Sequence, residues 1–214
     1  FELQMPAAPE AFDLARMEHL LDALGRPERG PRTVHVAGSK GKGSTVRMVD
    51  AGLRACGRGP VGLYTSPHLA DLSERIVVDG APVSDAELCA ALDPLLPHAR
   101  RTQGTADAPT YFELLTGAAW LAFRARGCRE VVLETGLGGR LDAVNVVDAD
   151  ASIITAVDLD HQDWLGEDIE AIGFEKAGIA RPFKPLVLGD DDPPASVLRH
   201  AYAIGAQAWR IAND

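Results

Sequence analysis

Apolar residues at Leu14, Met17, Leu21 and Leu24 recur at helical spacing and stop at Gly25-Arg26-Pro27, which predicts an amphipathic helix with a glycine terminator. Thr33 to Ala37 (TVHVA) is a short β-branched run that enters a glycine cluster. Beyond the cluster, Val46, Val49, Leu53 and Cys56 share one helical face, closed by Gly57, so the pattern is strand, loop, helix. Pro60 to Tyr64 and Glu74 to Val78 read as further strands, the second ending in the turn pair Asp79-Gly80. Ser84 with Glu87 and Thr110 with Glu113 have capping-box spacing, so each pair opens a helix. The second helix carries Phe112, Leu115, Ala119 and Ala122 on one face and ends near Gly127.

The buried-type strand Glu130 to Leu133 follows, then a strand at Ser152 to Val157, a helix from about Glu167 to Ile179 and a strand around Leu186 to Leu188. A helix through Val197 to Ala203 and a strand near Gln207 to Ile211 complete the run. Strands alternate with helices, so the fold class is α/β, a mainly parallel sheet flanked by helices. No internal repeat, low-complexity tract or interior linker interrupts it, and the Pro-rich DDDPPAS after Gly189 reads as a loop.

The 214 residues suit one large domain, and 46% hydrophobic residues suffice to fill its core. Lys and Arg total 21 against 31 Asp and Glu, a net charge of −10 that opposes a nucleic-acid backbone or an anionic bilayer. The expected partners are therefore small molecules, with neither nucleic acid nor membrane. One small anion can still be held by converging backbone N–H groups, which act at a range where net charge is screened. Cys56, Cys89 and Cys128 form no CxxC pair and lie at no zinc spacing, which suits a reducing cytoplasm. FELQMPAAPE lacks the basic and apolar regions of a signal peptide, and no apolar run nears the ~18 residues of a membrane span. A chain that starts without Met is read as a piece of a longer protein.

The strongest chemical signal is Gly38-Ser39-Lys40-Gly41-Lys42-Gly43-Ser44-Thr45, between a strand and a helix. Close glycines let N–H groups converge on phosphate oxygens, the helix N-terminus adds its positive end, Lys42 supplies a mobile charge and Ser44 offers a hydroxyl to magnesium. The strict pattern GxxxxGK[ST] is not met, because Lys42 precedes Gly43. The weaker reading is a flexible basic Gly loop. A magnesium ion beside phosphates takes one or two carboxylates, and Glu134, ending EVVL before Gly136-Leu137-Gly138-Gly139, stands at the sheet's carboxyl edge. Asp158, Asp160 and His161 follow the strand SIITAV at the same kind of edge, as metal ligands or acid-base groups. Taken alone, Thr65-Ser66-Pro67-His68 is a turn and Lys176 is a snorkelling lysine in a helix.

In order along the chain, HVAGSKGKGST, GLYTSPHL, SERIVVDG, TYFELLT, LETGLGGRLDAVN, DHQDWLG and FEKAGI resemble the folylpolyglutamate synthase and dihydrofolate synthase family of the Mur-ligase superfamily. The resemblance covers nearly the whole chain. It implies the P-loop-type central domain of a Mur ligase over residues 1–214, incomplete, with the C-terminal Rossmann-like ligase domain absent from this chain. It also implies a monomeric, ATP-dependent, amide-forming ligase of folate biosynthesis. In this family ATP phosphorylates a pteroate or folate carboxylate, and the amine of L-glutamate displaces phosphate.

Carried over, the resemblance makes Gly38, Lys40, Gly41, Lys42, Gly43 and Ser44 the ATP loop, and Ser44, Ser66, Glu134 and His161 the magnesium ligands. Lys42, Lys176 and His161 become catalytic, with Lys176 carbamylated and a monovalent cation as a further cofactor. Thr110, Tyr111, Phe112 and Glu113, with Leu141, Asp142 and Ala143, match segments that line the pteroate pocket; Phe12 to Arg16 approach the pterin. The departure is Ser39-Lys40, where the family loop usually carries Thr and Asn. The rival readings are a Mur-type ligase of peptidoglycan precursors and a nucleotide-binding module without turnover.

Overall fold

The computed structural model describes residues 13–159, 165 and 168–210. The predicted first helix forms as α1 (Leu14–Ala23), capped by the Asp13 side chain on the Ala15 N–H. Strand β1 (Arg32–Ala37) runs into the glycine loop and then α2 (Lys42–Ala55), followed by β2 (Val61–Tyr64). The capping boxes open α3 (Asp85–Leu92) and α5 (Tyr111–Ala125), as their spacing requires. Strands β5 (Glu130–Glu134) and β6 (Ala151–Ile154) precede α6 (Ile169–Ala177), β7 (Pro185–Leu188), α7 (Ala195–Ile204) and β8 (Gln207–Arg210).

Two segments depart from the pattern. The run Glu74 to Val78 is not one strand: Leu72–Arg75 is a 3-10 turn, and only Ile76–Val78 (β3) is extended. Its carboxylate explains this, because Glu74 accepts the backbone N–H groups of Leu69, Ala70 and Asp71 at 2.9, 3.0 and 2.9 Å. Those bonds hold the carboxyl well down, to about 2. Between α3 and α5, the hydrophobic pattern missed a 3-10 turn at Asp93–Leu95 and helix α4 (Leu96–Thr102). Pro94 and Pro97 interrupt any sequence periodicity there, yet both occupy first-turn positions where a missing N–H costs nothing.

The eight strands form one sheet in the order β4-β3-β2-β5-β1-β6-β7-β8, where β4 is Ala81–Pro82. The six strands from β2 to β8 in that order are parallel, and β3 and β4 join as an antiparallel edge through Asp79-Gly80. Pro82 is tolerated because it sits on the outermost strand.

Alternate residues of β5 serve opposite faces: Val131 and Leu133 join α1, α3 and α5, whereas Val132 joins Val46 of α2. A third cluster packs α6 and α7 on β6 and β7 through Ile172, Val197, Ile154 and Leu188. Trp120 and Phe123, fully buried in an edge-to-face pair, anchor the first cluster. The central strands are covered on both faces, leaving the carboxyl ends of β1, β5 and β6 as the open edge of the sheet. Among the described residues no helix is long and apolar enough to cross a membrane.

Candidate active site

At the carboxyl end of β1, Gly38 has φ 152 and Gly41, the N-cap of α2, has φ 82. Both are backbone conformations that side-chain-bearing residues rarely adopt. At Gly38 the lack of a side chain is also required by space, since a Cβ would lie 1.9 Å from Thr155 Oγ1. The loop is stitched to the segment after β6. Ser39 N–H donates to Ala156 O at 2.7 Å, Ser39 Oγ to Asp158 O at 2.8 Å, and Thr155 Oγ1 to Lys40 O at 2.6 Å. The Lys42 ammonium folds back over this loop and donates to Gly38 O at 2.9 Å. Ser44 lies exposed in the first turn of α2, where helical N–H groups have no intrahelical acceptors. Lys40 instead projects outward, 75% exposed, in an ion pair with Asp158.

Glu134 ends β5 beside this loop, in register with Val36 of β1. A Cβ on Gly43 would lie 3.8 Å from its Oε1 and 3.9 Å from its Oε2, so the carboxylate rests against the start of α2. The Ser66 N–H, just past β2, donates to Glu134 Oε2 at 3.2 Å. Burial raises the Glu134 pKa above the ordinary carboxylate value, while the Ser66 N–H, Lys42 and Arg47 pull it back. This buried carboxylate, with the Ser66 N–H and Gly43, the residue before Ser44, against it, is the hard oxygen chemistry that suits magnesium. Three strand ends distant in sequence thus meet at one phosphate-sized loop. Asp160 and His161 lie outside the described residues.

Lys176, on α6, is buried with 1% exposure, which is not the snorkelling arrangement. Its helix is docked on the loop that follows Glu134: the Arg140 N–H donates to Glu175 O at 2.8 Å, and the Arg140 guanidinium pairs with Glu175 Oε1. Asp142 faces the same loop from within. It accepts the N–H groups of Gly136 and Leu137, each at 2.8 Å, and of Val144 at 3.1 Å, yet burial pushes its pKa up to about 6.

With this geometry in place, the solved structures and curated sequences decide the family. A bifunctional folylpolyglutamate synthase/dihydrofolate synthase crystallised with Mn, AMPPNP and L-glutamate superposes with a TM-score of 0.85 at 40% identity, covering 98% of this chain and 49% of that one. The Bacillus subtilis dihydrofolate synthase/folylpolyglutamate synthase is 42% identical over 204 residues, 94% of this chain and 47% of that protein. The chain belongs to the folylpolyglutamate synthase/dihydrofolate synthase family. A probable bifunctional folylpolyglutamate synthase/dihydropteroate synthase of Halobacterium salinarum is 45% identical over 188 residues, 86% of this chain and 23% of that protein. The chain therefore spans less than half the length of these curated relatives. No family model matches it.

The segments expected from the sequence to line a pteroate pocket have different surroundings in the fold. Thr110 and Glu113 are occupied by the capping box, and Glu113 also holds Arg16 of α1 at 3.1 Å, so both brace the fold. Phe112 and Tyr111 face other neighbours: a Cβ on Gly136 would come within 2.8 Å of Phe112 Cζ, and the Tyr64 ring lies 5.8 Å from the Phe112 ring. Arg75 sits 5.9 Å from the Tyr111 ring centroid and donates to His68 Nδ1 at 2.9 Å. Leu141 is half-buried, Ala143 buried, and Asp142 is committed to three backbone donors. Sequence reasoning missed Thr155, Asn145 and Arg181. Thr155 just past β6, Asn145 in the 3-10 turn Ala143–Val146 and Arg181 after α6 carry no spacing signal for these roles, and their importance lies in carbonyls brought close only by folding.

Proposed function

We propose that this chain is the ATP-binding portion of an ATP-dependent ligase that adds L-glutamate to dihydropteroate, to folates or to both, through an acyl phosphate. The observation that carries the reading is the meeting of the Gly38 to Ser44 loop, Glu134 and the Ser66 turn at one sheet edge. Solved relatives bind ADP, AMPPNP, Mn and L-glutamate, which supports ATP, a divalent metal and a glutamate acceptor step.

In this reading Gly38, Gly41, Gly43 and Ser44 present N–H groups and the α2 N-terminus to the phosphates, and Lys42 exchanges its Gly38 carbonyl for a phosphate oxygen. Lys40 adds only outlying charge. Ser44, Ser66, Glu134 and His161 would hold magnesium, which spreads negative charge off the γ-phosphate when bound. Glu134 must be ionised to do so, and its position beside Lys42 favours that form. The substrate carboxylate attacks the γ-phosphorus in line while ADP leaves, and the glutamate amine then attacks the acyl carbon, expelling phosphate. Phe112 and Tyr111, with Leu141 and Ala143 near the Gly136 loop, shape the acceptor pocket; Thr110, Glu113 and Asp142 support it.

Lys176 takes up carbon dioxide on its neutral amine, forming an N–C bond and releasing one proton; the carbamate would offer an anionic oxygen to help hold bound cations, a monovalent cation among them. Lys176 is buried on the helix docked against the loop that follows Glu134, which supports a place for it at the site. The working enzyme is a cytoplasmic monomer.

The test is exchange of labelled phosphate into ATP by the full-length protein in the presence of a pteroate acceptor and glutamate. Exchange that needs the acceptor and disappears in Lys42→Ala is the expected result. Exchange that needs a peptidoglycan precursor instead would favour the Mur-type reading, and ATP binding without any exchange would favour a nucleotide-binding module.

A further inference from the structure

Asn145 ends the LETGLGGRLDAVN segment and Arg181 lies outside every motif, and together they make a dense polar cluster away from the glycine loop. Arg181, whose side chain is 16% exposed, directs Nε to Asp148 Oδ1 at 2.6 Å and Nη2 to Asn145 Oδ1 and Asn145 O, both at 2.9 Å. Its Nη1 reaches the carbonyls of Gly178, Ile179 and Ala180 at 3.2 to 3.3 Å, the turn that ends the Lys176 helix. Buried Asn145 then spans the two sides of the joint. Its Nδ2 donates to Arg140 O at 2.9 Å, on the loop from Glu134, and to Gly178 O at 3.0 Å, on the helix end.

The joint is close because both sides carry glycine. A Cβ on Gly139 would lie 2.9 Å from Glu175 O and 3.1 Å from Lys176 O, and one on Gly178 would lie 2.4 Å from Arg140 Cβ. The carbonyl of Lys176 is thus in contact with the loop that begins at Glu134. Only four residues separate Glu134 from Gly139, so a shift at the joint is transmitted to both groups. A partly buried network of this density permits one geometry, and loss of a partner releases it.

We propose that Asn145 and Arg181 are positioning residues for the phosphoryl-transfer site, clamping the Lys176 helix to the Glu134 loop so that both side chains keep a fixed relation. Neither residue touches the reactants. The inference rests on the reading of Lys176 as a participant in that reaction.

The test is a kinetic cycle in the full-length enzyme: Asn145→Ala, Lys176→Ala and the double variant, with Arg181→Lys as a second probe. A misplacement of about 1 Å in such a site lowers the rate by roughly 100-fold. Asn145→Ala should lower kcat about 10- to 100-fold with KM for ATP changed less than about twofold. Arg181→Lys, which keeps the charge but has one donor group for many acceptors, should lie between it and the parent. The decisive figure is non-additivity: because the clamp acts through Lys176, adding Asn145→Ala to Lys176→Ala should lower kcat further by less than about twofold. A purely structural role would lower melting temperature and yield but act equally in both backgrounds.

Equal loss in the two backgrounds, or unchanged kcat in Asn145→Ala and Arg181→Lys, overturns the clamp while leaving the ligase reading intact. Full activity of Lys176→Ala overturns the role of Lys176 and the clamp together, and acceptor-dependent exchange by that variant would still report the ligase. Should Asn145→Ala not fold, Asn145→Ser and Arg181→Lys carry the same comparison.

Discussion

Replacing Gly38 by alanine tests whether the loop is shaped by space as well as by backbone freedom. The new Cβ would stand 1.9 Å from Thr155 Oγ1, so the threonine must rotate away and give up its bonds to Lys40 O (2.6 Å) and Ala37 O (3.3 Å). The two carbonyls share the one hydroxyl hydrogen, and losing this bifurcated pair costs about 1 to 2 kcal/mol in all. Alanine at φ 152 adds about 1 to 3 kcal/mol of backbone strain. Thr155 Cβ at 3.1 Å and Ala156 O at 3.2 Å require a further shift of the segment after β6. Alanine's lower entropy in the unfolded chain returns about 0.5 kcal/mol. The expected loss is about 2 to 4 kcal/mol, read as a fall in urea midpoint at unchanged m-value. Thr155→Ala alone should cost about 1 to 2 kcal/mol, because it deletes the same two bonds. In the Gly38→Ala background those bonds are already broken, so Thr155→Ala should add almost nothing there. If its cost is the same in both backgrounds, the steric account of Gly38 is wrong.

Asp142→Asn should become relatively more stable than the parent as pH rises. The folded Asp142 pKa of about 6 lies above the ordinary aspartate value of 3.8, so the folded state holds an extra proton between them. Its favourable contribution is complete below about pH 4 and lost as pH passes 6. The difference is at most about 3 kcal/mol, and a stability difference that stays flat from pH 4 to 7 would contradict it. Arg16→Ala should destabilise by about 3 kcal/mol, because it leaves Glu113, 7% exposed, as an unpaired charge, measured by denaturant titration. Lys40→Ala should leave the denaturation midpoint nearly unchanged and weaken ATP binding far less than Lys42→Ala, since the Lys40 pair with Asp158 is exposed and screened. Divalent-metal affinity, followed by calorimetry, should fall as pH drops through the raised Glu134 pKa, and Glu134→Gln should lose that dependence.

Local chemistry by itself determined most elements and the strand-loop-helix frame of the site. The Ser84–Glu87 and Thr110–Glu113 boxes work within three residues, and the periodicities of α1, α2 and α5 reflect burial of one face, so both kinds of signal survive in the linear chain. The Gly38 to Ser44 loop and the strand end at Glu134 were readable for the same reason: glycine density and an acidic residue after an apolar strand are local features. Glu74 shows the limit of pattern reading, since its β-like run yields to a carboxylate that gathers three N–H groups of the preceding turn. Only the folded sheet decided what meets what. Parallel pairing set Val36 opposite Glu134 and brought Gly43 against its carboxylate, while Thr155 came to fill the space beside Gly38. Asn145 and Arg181 owe their significance to carbonyls on two separate segments, and no sequence spacing encodes that. The division follows from the range of the forces. Capping and periodic burial act over one turn or one face, whereas a site at a parallel sheet edge joins residues about a hundred positions apart, and their distances exist only once the crossovers have closed.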